Sequence, residues 1–157
     1  MKVDLQPVTL EQKELLRKML KAYEQELTGE DNSGDYKYLD LYWEKENRKP
    51  YFITVNKIIS GFALVNVHTL IQKGGNNLAE FYIRKEFRNQ GIGKQATYKL
   101  FDMFPGKWET RQMSSNPKAQ VFWNKVIAAY TNNHFEEVWL NDSNWRGAVQ
   151  TFDTRIA

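Results

Sequence analysis

The sequence predicts an α/β (α+β) fold in which helices flank a mixed, mostly antiparallel, twisted sheet. Three patterns support this prediction: an amphipathic helix opens the chain, a hairpin follows at residues 51–68, and a strand, helix, strand order occupies residues 78–112. A hairpin makes neighbouring strands antiparallel, whereas a crossover through a helix places two strands parallel. We therefore expect both kinds of pairing within one sheet.

The length and composition indicate one domain spanning residues 1–157. A chain of 157 residues buries roughly two-thirds of the surface that its unfolded form exposes. It contains no cysteine, which excludes a thiol nucleophile, thiolate zinc sites and disulfides and fits a reducing compartment. The N-terminus carries charges where a signal peptide is apolar, and no apolar run reaches the roughly 20 residues of a membrane span. We expect a cytoplasmic protein that does not bind a membrane.

The charge pattern argues against a nucleic-acid partner. The net charge is +3, from 22 basic and 19 acidic residues, and the two signs alternate along most of the chain. A nucleic-acid binder more often concentrates its Lys and Arg residues on one face. His68 and His134 have no Asp, Glu or Cys spacing around them that suggests a metal, so no metal is expected.

Two helices are predicted before the first strand. Apolar residues recur at three- and four-residue intervals from Thr9, a candidate N-cap, to near Leu27. A polar loop at Gly29–Asp35 then precedes a shorter helix around Tyr38–Trp43.

The remaining elements follow from apolar alternation and from glycine and proline breaks. The strands of the hairpin lie at Tyr51–Val55 and Ile58–His68, and Gly61 marks a bulge or a close approach of two backbones. A further helix starts at Pro117, after Ser115 and Asn116. Strands are also predicted at Leu78–Ile83, Lys107–Gln112, Phe135–Leu140 and Ala148–Phe152, and a helix at Gly91–Met103.

The segment from Ala79 to Lys94, AEFYIRKEFRNQGIGK, predicts an anion site. A strand-like run enters a basic turn and then a Gly-Ile-Gly step that opens a helix, where backbone N–H groups and the helix dipole favour a phosphate. Gly91 and Gly93 remove the Cβ atoms that would keep a ligand away, and Arg88 and Lys94 add positive charge. A phosphorylated ligand is therefore expected.

Two other glycine-loop classes fit the spacing less well. A P-loop requires Ser or Thr after its lysine, whereas Gln95 follows Lys94. The residues Gly91–Ala96 match a dinucleotide-binding pattern, and Glu109 lies near the distance of a ribose-binding acid. That pattern directly follows its strand, however, whereas Arg84–Gln90 intervene here.

At these residues the chain resembles the GNAT superfamily of N-acetyltransferases, and small bacterial members in particular. The acetyl-CoA signature of that family is Arg or Gln, two residues, Gly, one residue, then Gly or Ala, which corresponds to Arg88–Gly93. Family members place a hydrophobic strand residue five positions before the arginine, which is Ile83 here. A second family pattern, Asn-x-x-Ala followed by an aromatic pair, matches Asn116–Trp123.

This resemblance implies acetyl-CoA as the acetyl donor and a sheet whose central parallel strands splay apart. In such enzymes the strand backbone pairs with the pantetheine arm, the glycine loop holds the pyrophosphate, and the asparagine bonds near the cofactor arm. A homodimer is the assembly that the resemblance suggests. Its motifs assign cofactor binding to Phe81, Tyr82, Ile83, Arg88, Asn89, Gln90, Gly91, Ile92, Gly93, Lys94, Asn116, Phe122 and Trp123.

Two carboxylates are candidates for the general base that deprotonates an attacking amine. Glu109 is the first candidate, because the resembling ribosomal-protein acetyltransferases carry a glutamate base in the corresponding strand. Glu80 is the second, and alternation along its strand places it on the same face as Tyr82.

Trp123 departs from the family pattern, because many members have at this position a tyrosine that protonates the leaving thiolate. Indole donates a hydrogen bond but does not ionise usefully near neutrality. Either Tyr130 or another tyrosine supplies the proton, or water protonates the departing CoA.

The sequence thus predicts an acetyl-CoA-dependent N-acetyltransferase that acts on a primary amine by direct attack in a ternary complex. The alternative is a non-catalytic module that binds acyl-CoA and serves regulation. A polyamine, an amino-sugar antibiotic, a small amine and a protein N-terminus all remain open as acceptors.

Overall fold

The computed structural model describes residues 1–29 and 36–156. Their backbone forms a seven-stranded sheet with the order β1-β2-β3-β4-β5-β7-β6. The predicted mixed α/β fold is therefore confirmed. The contacts divide the chain into two compact units, one from Met1–Val65 with Glu80–Ala96 and one from Asn66–Ala79 with Thr97–Ala157. The single domain at residues 1–157 stays a prediction.

The first unit begins with a strand that sequence reasoning missed. Strand β1, Val3–Pro7, pairs antiparallel with β2, Lys49–Val55. The prediction that two helices precede the first strand was therefore wrong. The physical reason is that only Val3 of these five residues is buried, so β1 lacks the alternation of apolar residues that identifies a strand.

Helix α1 spans Lys13–Thr28 and buries Leu16, Met19 and Leu20. The predicted N-cap, Thr9, begins a short 3-10 turn instead, and its backbone N–H donates to the Gln12 side-chain oxygen at 3.1 Å. The helix ends at Gly29, whose positive φ of 73° suits a residue without a Cβ. The predicted loop at Gly29–Asp35 lies, apart from Gly29, outside the described residues.

The second predicted helix is a 3-10 turn at Leu39–Trp43. It buries Leu39 and Tyr42, and the Trp43 indole N–H donates to the Val8 carbonyl at 3.0 Å. Five residues close too few hydrogen bonds for a stable α-helix, so packing against neighbours holds this segment.

The predicted hairpin joins β2 to β3, Ile58–Asn66. Asn56 and Lys57 both have positive φ, as a two-residue turn of this kind requires. The register shifts between Ile53 and Thr54, opposite Gly61. A Cβ on Gly61 would lie 2.0 Å from the Tyr82 carbonyl oxygen, so this glycine permits the predicted close approach. The residue left unpaired at the bulge is its neighbour Ser60.

Strand β4, Asn76–Ile83, runs antiparallel to β3. Gly61, near the start of β3, lies beside Tyr82, near the end of β4, whereas Asn66, at the end of β3, bonds to Asn77, near the start of β4. It pairs parallel with β5, Lys107–Met113. Within the described residues, this parallel register joins Asn76–Leu78 to Trp108–Thr110, and both strands continue beyond it. Helix α2, Ile92–Met103, connects them, as predicted.

The second unit closes the sheet with two further predicted strands. Helix α3, Pro117–Thr131, begins with Pro117 in its first turn and buries Trp123, Val126 and Ile127. Strand β6, Phe135–Asn141, and strand β7, Arg146–Asp153, are antiparallel, and β7 lies between β6 and β5. Both strands are slightly longer than predicted.

Candidate functional site

The glycine loop before α2 contains two residues with left-handed backbone conformations. Asn89 has a φ of 62° and Gly91 a φ of 79°. The first helical hydrogen bond, from the Gln95 N–H to the Gly91 carbonyl, measures 3.1 Å. Among the residues that the structure describes, a Cβ on Gly91 would meet only the side-chain nitrogen of Gln95, at 4.0 Å. The loop therefore leaves open space beside Gly91, as a backbone cradle for an anion requires.

The Arg88 side chain braces this loop. Its Nε donates to the Ile83 carbonyl at 2.7 Å and its Nη2 lies 2.7 Å from a carboxylate oxygen of Glu26. The guanidinium also lies over the Tyr82 ring, 5.6 Å from its centre. Arg88 thus links the end of β4, helix α1 and the glycine loop.

The other side chains of the predicted loop point in different directions. Ile92 is buried in the core, and the Gln90 side-chain nitrogen donates to the Glu86 carbonyl at 3.2 Å. Asn89, Gly91 and Lys94 are exposed, and Gly93 is half-buried. Any ligand here meets backbone atoms and exposed polar groups.

Glu80, on β4 in the same unit, accepts hydrogen bonds from two phenols. The Tyr23 hydroxyl donates to its Oε1 and the Tyr36 hydroxyl to its Oε2, each at 3.1 Å. Burial, followed by the negative charge of Glu80, raises the pKa of Tyr23 and of Tyr36 well above the ordinary value. Both phenols therefore stay protonated and act as hydrogen-bond donors at neutral pH.

Aromatic contacts fix the position of Tyr23. Its ring packs edge-on against Phe62, with centres 5.6 Å apart, and against Tyr82, at 5.8 Å. Phe62 and Tyr82 are themselves 5.6 Å apart. Edge-to-face pairs of this kind restrict ring orientation, so the Tyr23 hydroxyl is held toward Glu80. Phe81 and Ile83 are half-buried on the opposite side of the alternating strand.

Glu109 lies in the second unit, on β5, and its side chain is fully buried. Its carboxylate accepts the backbone N–H groups of Leu70, at 2.8 Å, of Ile71, at 2.9 Å, and of Gln72. These bonds fasten the connection between β3 and β4 to β5. Both oxygens of the Glu109 carboxylate therefore accept hydrogen bonds from backbone N–H groups.

Asn116 caps helix α3. Its side-chain oxygen accepts the N–H of Ala119 at 3.3 Å, which gives the Asn-x-x-Ala pattern a structural reason. Within the described residues its side-chain nitrogen makes no hydrogen bond. Further along the helix, Phe122 packs edge-on against buried Trp123, with ring centres 5.0 Å apart.

Tyr130 lies near the C-terminal end of α3, and its hydroxyl donates to Asp102 at 2.5 Å. Burial, followed by the hydrogen bond to that carboxylate, raises its pKa. Its ring packs against Tyr98 and Phe101 on α2, with centres 5.0 and 5.1 Å apart. These contacts give Tyr130 a role in helix packing.

The family model for the acetyltransferase (GNAT) family matches residues 16–142. The chain belongs to this family. The sequence prediction of an acetyltransferase, based on the motifs at Arg88–Gly93 and Asn116–Trp123, is thereby confirmed. A search of curated proteins finds no match to the chain.

Solved structures share the GNAT fold of this chain at low identity. An acetyltransferase from Thermus thermophilus has a TM-score of 0.73 and 18% identity over 98% of this chain and 97% of that one. The aminoglycoside acetyltransferase AAC(6')-Ib in complex with ribostamycin and coenzyme A has a TM-score of 0.74 and 15% identity over 99% of this chain and 95% of that one. The ribosomal-protein-S18-alanine N-acetyltransferase from Escherichia coli has a TM-score of 0.63 and 11% identity over 99% of this chain and 96% of that one.

Sequence reasoning missed three contacts to predicted site residues in the GNAT chain. Tyr23 and Tyr36 were not expected to bond to Glu80, nor Glu26 to Arg88. Tyr23 and Tyr36 lie 57 and 44 positions from Glu80, so no local pattern reveals the contact. The aromatic content of the Tyr36–Trp43 segment is the one sequence signal.

Two negative observations concern only the parts of the chain that the structure describes. No group of three or more His, Cys, Asp or Glu side chains there could hold a metal ion. No helix there is long and apolar enough to span a membrane.

Proposed function

We propose that this chain transfers an acetyl group from acetyl-CoA to a primary amine by direct attack in a ternary complex. The observation that carries the proposal is the left-handed, open backbone at Gly91, directly before α2 and inside the family's Arg88–Gly93 signature. The solved complex of AAC(6')-Ib with coenzyme A supports the choice of donor. The acceptor class stays open.

We assign acetyl-CoA binding in the first unit to the β4 backbone and the glycine loop. The backbone of Phe81, Tyr82 and Ile83 pairs with the pantetheine arm, and the loop from Arg88 to Lys94 receives the pyrophosphate. Because the Arg88 Nε and Nη2 already bind Ile83 and Glu26, the guanidinium contributes charge and loop rigidity more than a new contact. In the second unit, Asn116, Phe122 and Trp123 are assigned to the cofactor arm.

We propose Glu80 as the general base. The amine nitrogen forms a bond to the acetyl carbon, the carbon–sulfur bond breaks, CoA leaves as a thiolate, and the amine proton passes to the Glu80 carboxylate directly or through water. Glu109, the first candidate on sequence grounds, already accepts three backbone N–H groups, so we assign it to loop anchoring.

Water is the proposed proton donor to the leaving thiolate. Trp123 carries no proton that ionises near neutrality, and the raised pKa of Tyr130 weakens it as an acid. The chain has no cysteine, so no acetyl-cysteine intermediate forms. We also propose that the protein is bacterial, cytoplasmic and a homodimer.

A thermal-shift titration with acetyl-CoA and with CoA tests cofactor binding, because a ligand that binds only the folded state raises the unfolding temperature. No shift at millimolar ligand would contradict it. Release of free thiol with a panel of amines then tests catalysis. Binding without thiol release from any amine favours the alternative, a non-catalytic module that binds acyl-CoA, for which Trp123 in place of a tyrosine is the supporting observation.

A further inference from the structure

The most specific polar arrangement on β4 is the pair of phenols on Glu80. Tyr23 donates to one carboxylate oxygen and Tyr36 to the other, at the same distance of 3.1 Å. One donor comes from α1 and the other from the segment before the 3-10 turn. Because each oxygen has its own donor, rotation of the carboxylate about its terminal bond breaks both hydrogen bonds.

The two donors are themselves fixed. Tyr23 lies between Phe62 and Tyr82, at ring distances of 5.6 and 5.8 Å. The Tyr36 ring packs edge-on against Tyr38, at 5.9 Å. A preorganised donor costs little conformational entropy when it forms its bond, so the hydrogen bond stabilises its acceptor more.

We infer that Tyr23 and Tyr36 are positioning residues that keep the Glu80 carboxylate ionised and fix the direction in which it accepts a proton. The inference rests on the proposed role of Glu80 as general base. Hydrogen bonds to the charged form of a carboxyl group favour that form, and they oppose the effect of burial. A phenol whose own pKa is raised donates a hydrogen bond to the carboxylate and keeps its proton.

Further charged and titratable groups lie beside the two phenols that donate to Glu80. The neighbouring groups are Glu24 next to Tyr23 on α1, Tyr42 beside Tyr36, and, on β4 and the following loop, Tyr82 with Arg88 over its ring.

Carbon NMR of protein labelled at the glutamate carboxyl carbons tests the inference without any need for activity. The Glu80 signal is assigned as the one lost in Glu80→Gln. In Tyr23→Phe and in Tyr36→Phe, the pKa of Glu80 rises by about one unit, since each variant removes one hydrogen bond to a charged group. Tyr38→Phe is the matched control, because it removes a neighbouring hydroxyl that does not bond to Glu80, and it leaves that pKa unchanged.

A second measurement covers the case in which a phenylalanine variant folds poorly. Replacement of tyrosine by 3-fluorotyrosine throughout the chain keeps every ring and makes each phenol a stronger donor, so the pKa of Glu80 falls. The inference is overturned if the pKa of Glu80 moves by less than roughly 0.3 units, the precision of the titration, in both phenylalanine variants. It is also overturned if that pKa rises with fluorotyrosine.

The pH dependence of thiol release separates this inference from the proposed function. The acidic limb of the rate profile moves to higher pH in Tyr23→Phe and Tyr36→Phe and stays in place in Tyr38→Phe. If Glu80→Gln retains full activity, the assignment of the base fails, whereas the NMR titration still decides whether the phenols hold the carboxylate ionised.

Discussion

The Arg88 guanidinium beside the glycine loop is bound to the carboxylate of Glu26, with Nη2 and Oε2 2.7 Å apart. Lys85 lies 3.8 Å from the other oxygen of the same carboxylate. A fixed negative charge therefore offsets the positive charge that the family signature places next to the proposed phosphate site. This pairing lowers the electrostatic attraction of the loop for an anion.

Glu26→Gln is expected to tighten CoA binding about two- to fivefold, because a partly exposed ion pair of this kind is worth up to about 1 kcal/mol. The Arg88 Nε remains bonded to the Ile83 carbonyl, so the freed charge stays in place. Isothermal titration calorimetry at low and high salt measures the effect, which salt weakens. Glu46→Gln, which removes one exposed charge elsewhere, is the control. Weaker binding in Glu26→Gln would show that the carboxylate orients Arg88 instead.

Gly91→Ala is expected to lower both stability and CoA affinity. A residue with a Cβ at a φ of 79° costs about 1–2 kcal/mol, and the Cβ enters the space proposed for the pyrophosphate. Gly74→Ala is the matched control, since Gly74 has a φ of 82° and also has space for a Cβ. Denaturant unfolding and calorimetry check both variants. Equal CoA affinity in the two would remove the glycine loop from the binding site.

Two substitutions of Asn116 separate helix capping from cofactor binding. Asn116→Ala removes the cap and costs about 1 kcal/mol of stability, whereas aspartate caps about as well as asparagine. Both variants lose the side-chain N–H donor, so we expect both to bind acetyl-CoA about fivefold more weakly. Calorimetric titration and urea unfolding give the two quantities. If Asn116→Asp binds acetyl-CoA as tightly as the wild type, Asn116 caps the helix and does not bind the cofactor.

Glu109→Gln is expected to destabilise the protein by about 2–4 kcal/mol, because an amide NH₂ group would face backbone N–H donors that the carboxylate now accepts. Glu136→Gln, an exposed change on β6, is the control and leaves the free energy of unfolding nearly unchanged. Urea unfolding at neutral pH measures both. Unaltered stability together with a shifted pH profile of thiol release would return Glu109 to the role of base.

The free energy of unfolding is expected to fall steeply above pH 10. The unfolded phenols lose their protons near pH 10, whereas Tyr23 and Tyr36 keep theirs in the folded state because their pKa is raised. The unfolded state then binds fewer protons, and stability decreases by about 1.4 kcal/mol per pH unit for each such tyrosine. Urea unfolding between pH 9 and 11.5 should give a shallower slope in Tyr23→Phe and Tyr36→Phe. The same slope in all three proteins would contradict the burial of these phenols.

Local sequence patterns were sufficient for the elements whose cause is local. Gly91 was identified from the Gly-Ile-Gly step before a helix, and its φ of 79° suits a residue without a Cβ. Gly61 was identified as a site of close backbone approach, where a Cβ would meet the Tyr82 carbonyl. Pro117 marked the start of α3 for a similar reason, since its φ suits the first helical turn. Strand β1 was missed because it has one buried residue, and its pairing with β2 comes from backbone hydrogen bonds that any sequence can make.

The side-chain chemistry of the candidate site depended on contacts between distant residues. Glu80 and Glu109 are both strand glutamates, and composition does not separate them. Their partners do, because hydroxyl groups from other elements reach Glu80 and backbone N–H groups reach Glu109. Such differences arise only when the chain folds.

The anchoring of the Leu70–Gln72 segment by Glu109 ties the length of a surface connection to the identity of one interior residue. A homologue with a shorter connection between β3 and β4 loses the amides that the acid needs, and an unsatisfied carboxylate is costly in the interior. Homologues with a deletion in the connection between β3 and β4 should therefore carry an apolar residue at position 109. Grafts that lengthen the connection should succeed when they are inserted outside Leu70–Gln72 and leave those three amides in place.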